Sequence, residues 1–158
     1  MADRWYVLSC TPRKERVIYH QLHDRGFEVY YPYLITKTQN PNMLKIEPYF
    51  PGYVFIKVNL EEVATSIFQW MPMTEGLVCM AENPVFVPDR IIQAINRNLW
   101  NINSSVLGVL EDVAVVEQEN SDDDAATRNG YLLDQRISGS DRSQRLLQYL
   151  QLVSQASD

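Results

Sequence analysis

The chain has 158 residues, 46% of them hydrophobic, and a formal net charge of −6. That length allows one ordinary domain, or one with a small appendage. No apolar run approaches the roughly 20 residues of a membrane span, and the opening Met-Ala-Asp-Arg-Trp has no signal-peptide core. The acidity argues against a tight, autonomous nucleic-acid binder, but it is unevenly spread. Residues 1–110 hold 10 bases and 10 acids, residues 111–158 hold 4 bases and 10 acids, and residues 1–60 hold 8 bases and 5 acids. The basic bias at the start suits weak or guided contact with a nucleic acid.

Arg4 to Cys10 alternates and reads as a strand. Thr11-Pro12 carries helix-start chemistry, with Thr11 as N-cap and Pro12 at the first helical position. The helix predicted from there runs to about Arg25 and stops at Gly26. Val17, Ile18 and Leu22 form its predicted buried side, and Arg16, His20 and His23, at i, i+4 and i+7, an outward stripe. Phe27 to Thr36 reads as a tyrosine-rich strand interrupted by Pro32, which marks an edge or a bulge. Lys37 to Lys45, with Asn40-Pro41-Asn42 inside it, reads as a hairpin loop.

The stretch Glu47 to Val58 is the most informative. After turn chemistry at Pro51-Gly52, Val54, Ile56 and Val58 share one face of a strand, and Tyr53 and Phe55 share the other, with Lys57 at its end. Both faces are apolar. One can pack on a core; the aromatic one needs a second cover, from helices of this chain or from a partner. Asn59 with Glu62 resembles a capping box for a second helix carrying Val63, Ile67, Trp70 and Met71, which Pro72 ends. Leu77 to Met80 reads as a short strand. Pro88-Asp89 starts a third helix with Ile91, Ile92, Ile95 and Leu99. Cys10 and Cys79 both fall in predicted strands and read as buried free thiols, as a reducing cytoplasm would keep them. The order predicts an α+β fold: a mostly antiparallel four-stranded sheet packed with about three helices over residues 1–100, followed by a small irregular C-terminal segment.

Residues 101–110 read as a linker, beginning with Asn101 to Ser105. Val106 to Glu117 has strand character, Ser121 to Thr127 is acidic, and Gly130 to Arg136 is a further candidate strand. Ser140-Asp141 offers a cap for a last helix with Leu146, Leu147, Leu150 and Val153 at helical spacing.

No catalytic constellation stands out: there is no phosphate-binding glycine loop and no nucleophile elbow. His20, His23 and Cys10 could ligate a metal, but two histidines without further ligands favour a solvated helix face. Asp122-Asp123-Asp124 lacks the calcium-loop pattern. The expectation is a protein that is not an enzyme and needs no cofactor or metal. The basic set Arg13, Lys14, Arg16, His20 and Arg25 is either a plain solvent face or a phosphate-contacting one near a helix N-terminus.

Glu47 to Ile56, Glu-Pro-Tyr-Phe-Pro-Gly-Tyr-Val-Phe-Ile, resembles the signature strand of the N-terminal (NGN) domain of the NusG family of transcription elongation factors, and of specialised paralogues such as RfaH. Trp5-Tyr6-Val7-Leu8 resembles the family's opening strand, while Gly76-Leu77-Val78, Pro84-Val85 and Val87-Pro88 resemble its later strand, loop and last-helix start. The resemblance covers about residues 3–100. It implies an elongation or antitermination factor that suppresses pausing or termination beside the transcription bubble. Tyr53 and Phe55 would dock on the β′ clamp helices of RNA polymerase, flanked by Ile92, Ile95 and Met80. Thr65 and Ser66 would lie near the β-subunit gate loop. Arg13, Lys14, Arg16 and His20 would touch the non-template DNA strand.

In such proteins a KOW barrel follows. Gly130 to Asp134 and Ser138 to Arg142 loosely resemble two of its segments, but the glycine turn is replaced and the chain stops near Leu152. Residues 111–158 are therefore expected to be a degenerate KOW-like or helical acidic region, which argues against contact with Rho or a ribosomal protein. A helix there could fold back over Tyr53 and Phe55 as an autoinhibitory cover, as the resemblance to RfaH implies. The protein is expected to be a cytoplasmic monomer. The alternatives are a non-catalytic α+β module binding protein or RNA without RNA polymerase, and a small metal-dependent enzyme.

Overall fold

A computed structural model describes residues 3–40, 44–107 and 138–156. β1 (Arg4–Cys10) is the centre of the sheet. On one edge it pairs antiparallel with β5 (Tyr53–Val58), from Arg4↔Val58 to Ser9↔Tyr53. Its other edge is shared by β6 (Thr74–Leu77), opposite Leu8 to Cys10, and by the short β9 (Phe86–Val87), opposite Trp5 and Tyr6. β2 (Glu28–Tyr30) closes the outer edge of β5. The path β2-β5-β1-β6 is the expected antiparallel four-stranded sheet, and β9 adds a fifth strand.

Pro32 splits the tyrosine-rich segment. Beyond it, β3 (Tyr33–Lys37) leaves the sheet and forms a hairpin with β4 (Leu44–Pro48). A proline has no N–H to give a ladder, so the chain changes partner there. A second small ladder joins β7 (Cys79–Met80) to β8 (Asn83–Pro84).

Among the described residues four helices flank the sheet: α1 (Glu15–Asp24), α2 (Ser66–Trp70), α3 (Asp89–Leu107) and α4 (Gly139–Ala156). The alternation of β1 and β5 yields two cores. Tyr6, Leu8, Val54, Ile56 and Val58 pack with Ile18 and Leu22 of α1 and Phe68 of α2. Trp5, Val7 and Phe55 point the other way and cluster with Ile91, Ile92, Ile95 and Leu99 of α3 and with Leu146, Tyr149 and Leu150 of α4.

Several expectations need correction. Helix α1 begins at Glu15, not at Thr11-Pro12; Arg13 adopts φ +72, a left-handed conformation that no continuing helix allows. Val17 is 41% exposed, and only Ile18 and Leu22 of the predicted triad are buried. The second helix is five residues long. Asn59 caps a turn instead, its side-chain oxygen accepting from the Glu61 N–H at 3.0 Å. Trp70 is 83% exposed, while Phe68 and Met71 are buried. The third helix continues to Leu107, so residues 101–105, expected as a linker, are helical. Cys79 is exposed, because its two-residue ladder stands apart from the main sheet. The readings on Gly108 to Ile137 fall outside the described residues.

Candidate functional site

The site begins with how β5 is positioned. Gly52, at φ +88, makes the turn before the strand, a backbone conformation that only glycine adopts without strain. The buried carboxylate of Glu15 holds that turn: one oxygen accepts from the Gly52 N–H at 2.8 Å and from the Arg13 N–H at 3.1 Å. The start of α1 and the start of β5 are thereby tied together. Sequence reasoning missed Glu15, since a carboxylate in a first helical turn ordinarily faces water and assists the helix dipole.

From that turn, Phe55 points into the second core and is fully buried, and Tyr53 is half-buried at its margin. Burial, and then the charges of Glu75 and Cys10, push the Tyr53 phenol above its ordinary range. Ile92 and Ile95 are buried in the same cluster and Met80 lies half-buried against it. These five expected residues are brought together. Thr65 and Ser66 are not among them. They sit exposed at the start of α2, whose Phe68 belongs to the opposite core.

The aromatic face is covered from within the chain. α4 places Leu146, Tyr149 and Leu150 in its cluster. Ser138, not Ser140, caps this helix: its Oγ accepts from the Asp141 N–H at 3.1 Å and donates to the Asp141 carboxylate at 2.8 Å. Arg142 is only 4% exposed. Its Nε–H donates to the Tyr49 carbonyl at 2.8 Å, and its guanidinium lies 4.5 Å from the centre of the Tyr49 ring. The Ser143 hydroxyl donates to the Pro51 carbonyl at 3.0 Å. A Cβ on Gly139 would stand 2.7 Å from Pro51 Cγ, so the first residue of α4 is seated against the turn that opens β5. Leu146 and Leu150 were legible in the apolar spacing, and Tyr149 was not part of it. Arg142 carried no sequence signal, since a lone arginine on an amphipathic helix reads as solvated.

Arg13, Lys14, Arg16 and His20 all lie exposed along α1 and its lead-in. Arg16 and His20 line a cleft of about 360 Å³ between α1 and the β3–β4 hairpin. Arg13 and Arg16 line an adjoining cleft of about 720 Å³ that reaches Ser140 and Arg142 of α4. Cys10 is buried, and burial together with the charges of Glu15 and Glu75 raises its thiol to about 12. His20 and His23 face outward, and the described residues hold no group of three or more side chains that could ligate a metal.

The architecture is that of an α+β domain whose central strand is apolar on both faces, with a basic helix on one side and an aromatic strand face under a C-terminal helix on the other. The family model described as "Transcription termination factor nusG" matches residues 3–96. The chain belongs to the NusG family of transcription factors. Among solved structures it is similar to one described as "Domain interaction in Thermotoga maritima NusG", with 23% identity and a TM-score of 0.42 over 65% of this chain. The match spans 58% of that chain. No curated protein matches.

Proposed function

We propose that the chain is a transcription elongation and antitermination factor that docks on RNA polymerase beside the transcription bubble and suppresses pausing or termination. The observation that supports this best is the second apolar face of β5. Phe55, Ile92, Ile95 and Tyr53 form a surface that this chain covers with a helix, α4. A groove that seats one amphipathic helix has the shape and chemistry to seat another. The clamp helices of the β′ subunit would take the place of α4 on Tyr53, Phe55, Ile92 and Ile95, with Met80 at the margin. Thr65 and Ser66 would meet the β gate loop from the far side of the sheet. Arg13, Lys14, Arg16 and His20 would face the non-template strand.

On this reading α4 is an autoinhibitory cover, and the factor is held off the polymerase until α4 leaves. The work is mechanical and electrostatic, with no catalysis and no cofactor, carried out by a cytoplasmic monomer. Contact with Rho or a ribosomal protein forms no part of it. Among the described residues no helix is long and apolar enough to cross a membrane.

The test is an affinity measurement with core RNA polymerase. The variant Leu146→Asp, Leu150→Asp, which releases α4 by placing charge in the core it enters, is expected to bind more tightly than the unaltered chain. Equal or weaker binding rejects the cover. Adding Tyr53→Ala and Phe55→Ala to that released variant is expected to abolish binding, since truncating a buried aromatic anchor commonly costs about 2 kcal/mol or more. Binding that survives the aromatic truncation rejects the face.

A further inference from the structure

We propose that the outer edge of β4 takes up an extended acidic segment of a partner protein as an added strand, its carboxylates received by Arg13 and Arg16 in the cleft beside it. This edge belongs to the β3–β4 hairpin and is separate from the aromatic face under α4.

The hairpin has two outer edges, and only one is closed. On the β3 side, Asn103 of α3 stands in for a neighbouring strand. Its Oδ1 accepts from the Ile35 N–H at 2.8 Å, and its Nδ2 donates to the Tyr33 carbonyl at 2.9 Å. These two bonds also fix which backbone groups of β4 are free. In an antiparallel pair, successive residues turn their N–H and C=O alternately toward the partner strand and away from it. Tyr33 and Ile35 turn away from β4, so Leu34 and Thr36 face it, opposite Glu47 and Lys45. Leu44, Ile46 and Pro48 therefore turn their backbone groups outward. Among the described residues no backbone hydrogen bond beyond the hairpin ladder engages any of these three.

Leu44 and Ile46 are each 47% exposed. An open edge that carries apolar side chains is a template for a further strand. Lysine and proline commonly blunt such edges. Here Lys45 is neutralised by Glu47 at 2.6 Å, and Pro48 is the last residue of the strand, where it bounds an added strand without interrupting it.

The surroundings select the partner. Ile46 and Pro48 line the cleft of about 720 Å³ together with Arg13, Arg16 and Ser140. Among the described residues no ion pair engages the Arg13 or Arg16 guanidinium. The carboxylates of the cleft are engaged, Glu15 by two backbone N–H groups and Glu47 by Lys45. A strand laid on β4 meets free cations and no free carboxylate, which favours an acidic segment. A second copy of β4 would bring only the neutral Lys45–Glu47 pair and leave the arginines unanswered. A nucleic acid would answer the arginines but has no ladder of amides and carbonyls for the edge.

The experiment measures fluorescence anisotropy of a labelled peptide of alternating aspartate and valine with the full chain, across a salt series. This peptide is expected to bind, and its lysine–valine counterpart is not. Two further versions are N-methylated, one at every aspartate and the other at every valine. One is expected to lose binding and the other to keep it, because a strand offers a single edge to β4. Ile46→Pro removes the outward N–H without taking a bond from the β3 ladder. It is expected to weaken binding about fivefold or more with the far-ultraviolet circular dichroism unchanged. If it disturbs the hairpin, the methylated peptides still decide. Arg16→Gln is expected to weaken binding at low salt and to make no difference at high salt.

Failure of the acidic peptide to bind overturns the proposal. So does equal behaviour of the two methylated versions, which marks attraction by charge alone. A dimer of the chain that Ile46→Pro dissolves gives the edge to a second copy and overturns it as well.

Discussion

Arg142 is the residue on which the cover of the aromatic face turns. Its guanidinium is buried on the Tyr49 ring and donates to the Tyr49 carbonyl. A hydrogen bond to a charged group is worth about 1.5–3 kcal/mol, and truncation at this position removes one together with the guanidinium's packing on the ring. Arg142→Ala is therefore expected to loosen α4 by about that amount, seen as faster proteolytic cleavage within residues 138–156 while the sheet core stays protected from hydrogen exchange. The two cysteines give a second prediction. Cys79 is exposed and is expected to be alkylated in the native protein, whereas Cys10 is expected to react only after unfolding. Burial holds the Cys10 thiol protonated to about 12, against an ordinary value of 9.0. A raised folded pKa means that the unfolded chain releases its proton first as pH rises. The stability this thiol contributes is present below pH 9.0 and lost as pH climbs toward about 12. Cys10→Ala is expected to flatten that part of a pH–stability profile.

At the scale of elements, α4 and the β5 turn act as one unit. Burying a side chain such as Leu146, Tyr149 or Leu150 contributes about 1.5–3 kcal/mol, so the three together hold the helix with roughly 4–9 kcal/mol before the cost of ordering it. A partner that displaces α4 must offer comparable apolar area. The seat of the helix is steric as well. Gly139→Ala would put a methyl 2.7 Å from a proline ring carbon that cannot rotate away. It is expected to shift the first turn of α4 and weaken docking, in the same direction as Arg142→Ala and without touching any hydrogen bond. Near-ultraviolet circular dichroism of the buried tyrosines checks this: a changed Tyr49 and Tyr149 signal with unchanged far-ultraviolet signal marks an undocked but intact fold.

At the scale of the whole molecule, the charge is divided. The basic residues gather in the first 60 positions, and the whole deficit lies in residues 111–158. The net charge of −6 lowers the local concentration of any nucleic acid around the molecule, and salt screens that repulsion over about a Debye length of 10 Å at 0.1 M. Neutralising Asp122, Asp123 and Asp124 to asparagine removes three charges from a formal net of −6. Single-strand affinity is expected to rise by severalfold at low salt, and the difference to vanish at high salt. An increase that persists at high salt would mean a contact and not a field.

The sequence by itself determined the elements that depend on local rules. Alternation identified β1 and both faces of β5, Gly26 ended α1 through its positive φ, Pro32 broke the tyrosine strand, and the isoleucines of α3 fell on the buried side. The sheet and the family followed from these residues, as did the grouping of Tyr53, Phe55, Ile92 and Ile95. Where a local signal competes with packing, the sequence was a poor guide. Thr11-Pro12 has cap chemistry, yet Arg13 turns left-handed and the helix waits until Glu15 can reach Gly52. Ile67, Trp70 and Met71 have helical spacing, yet of the three only Met71 enters the core, beside the unpredicted Phe68. Only the tertiary structure decided which surface covers the aromatic face. A two-faced strand states that a cover is needed but not who supplies it, because that depends on residues some 90 positions away in sequence, such as Arg142 with Tyr49. Pairings of that length leave no period in the chain, and burial of an arginine becomes visible only when the carbonyl and ring that receive it have been brought alongside.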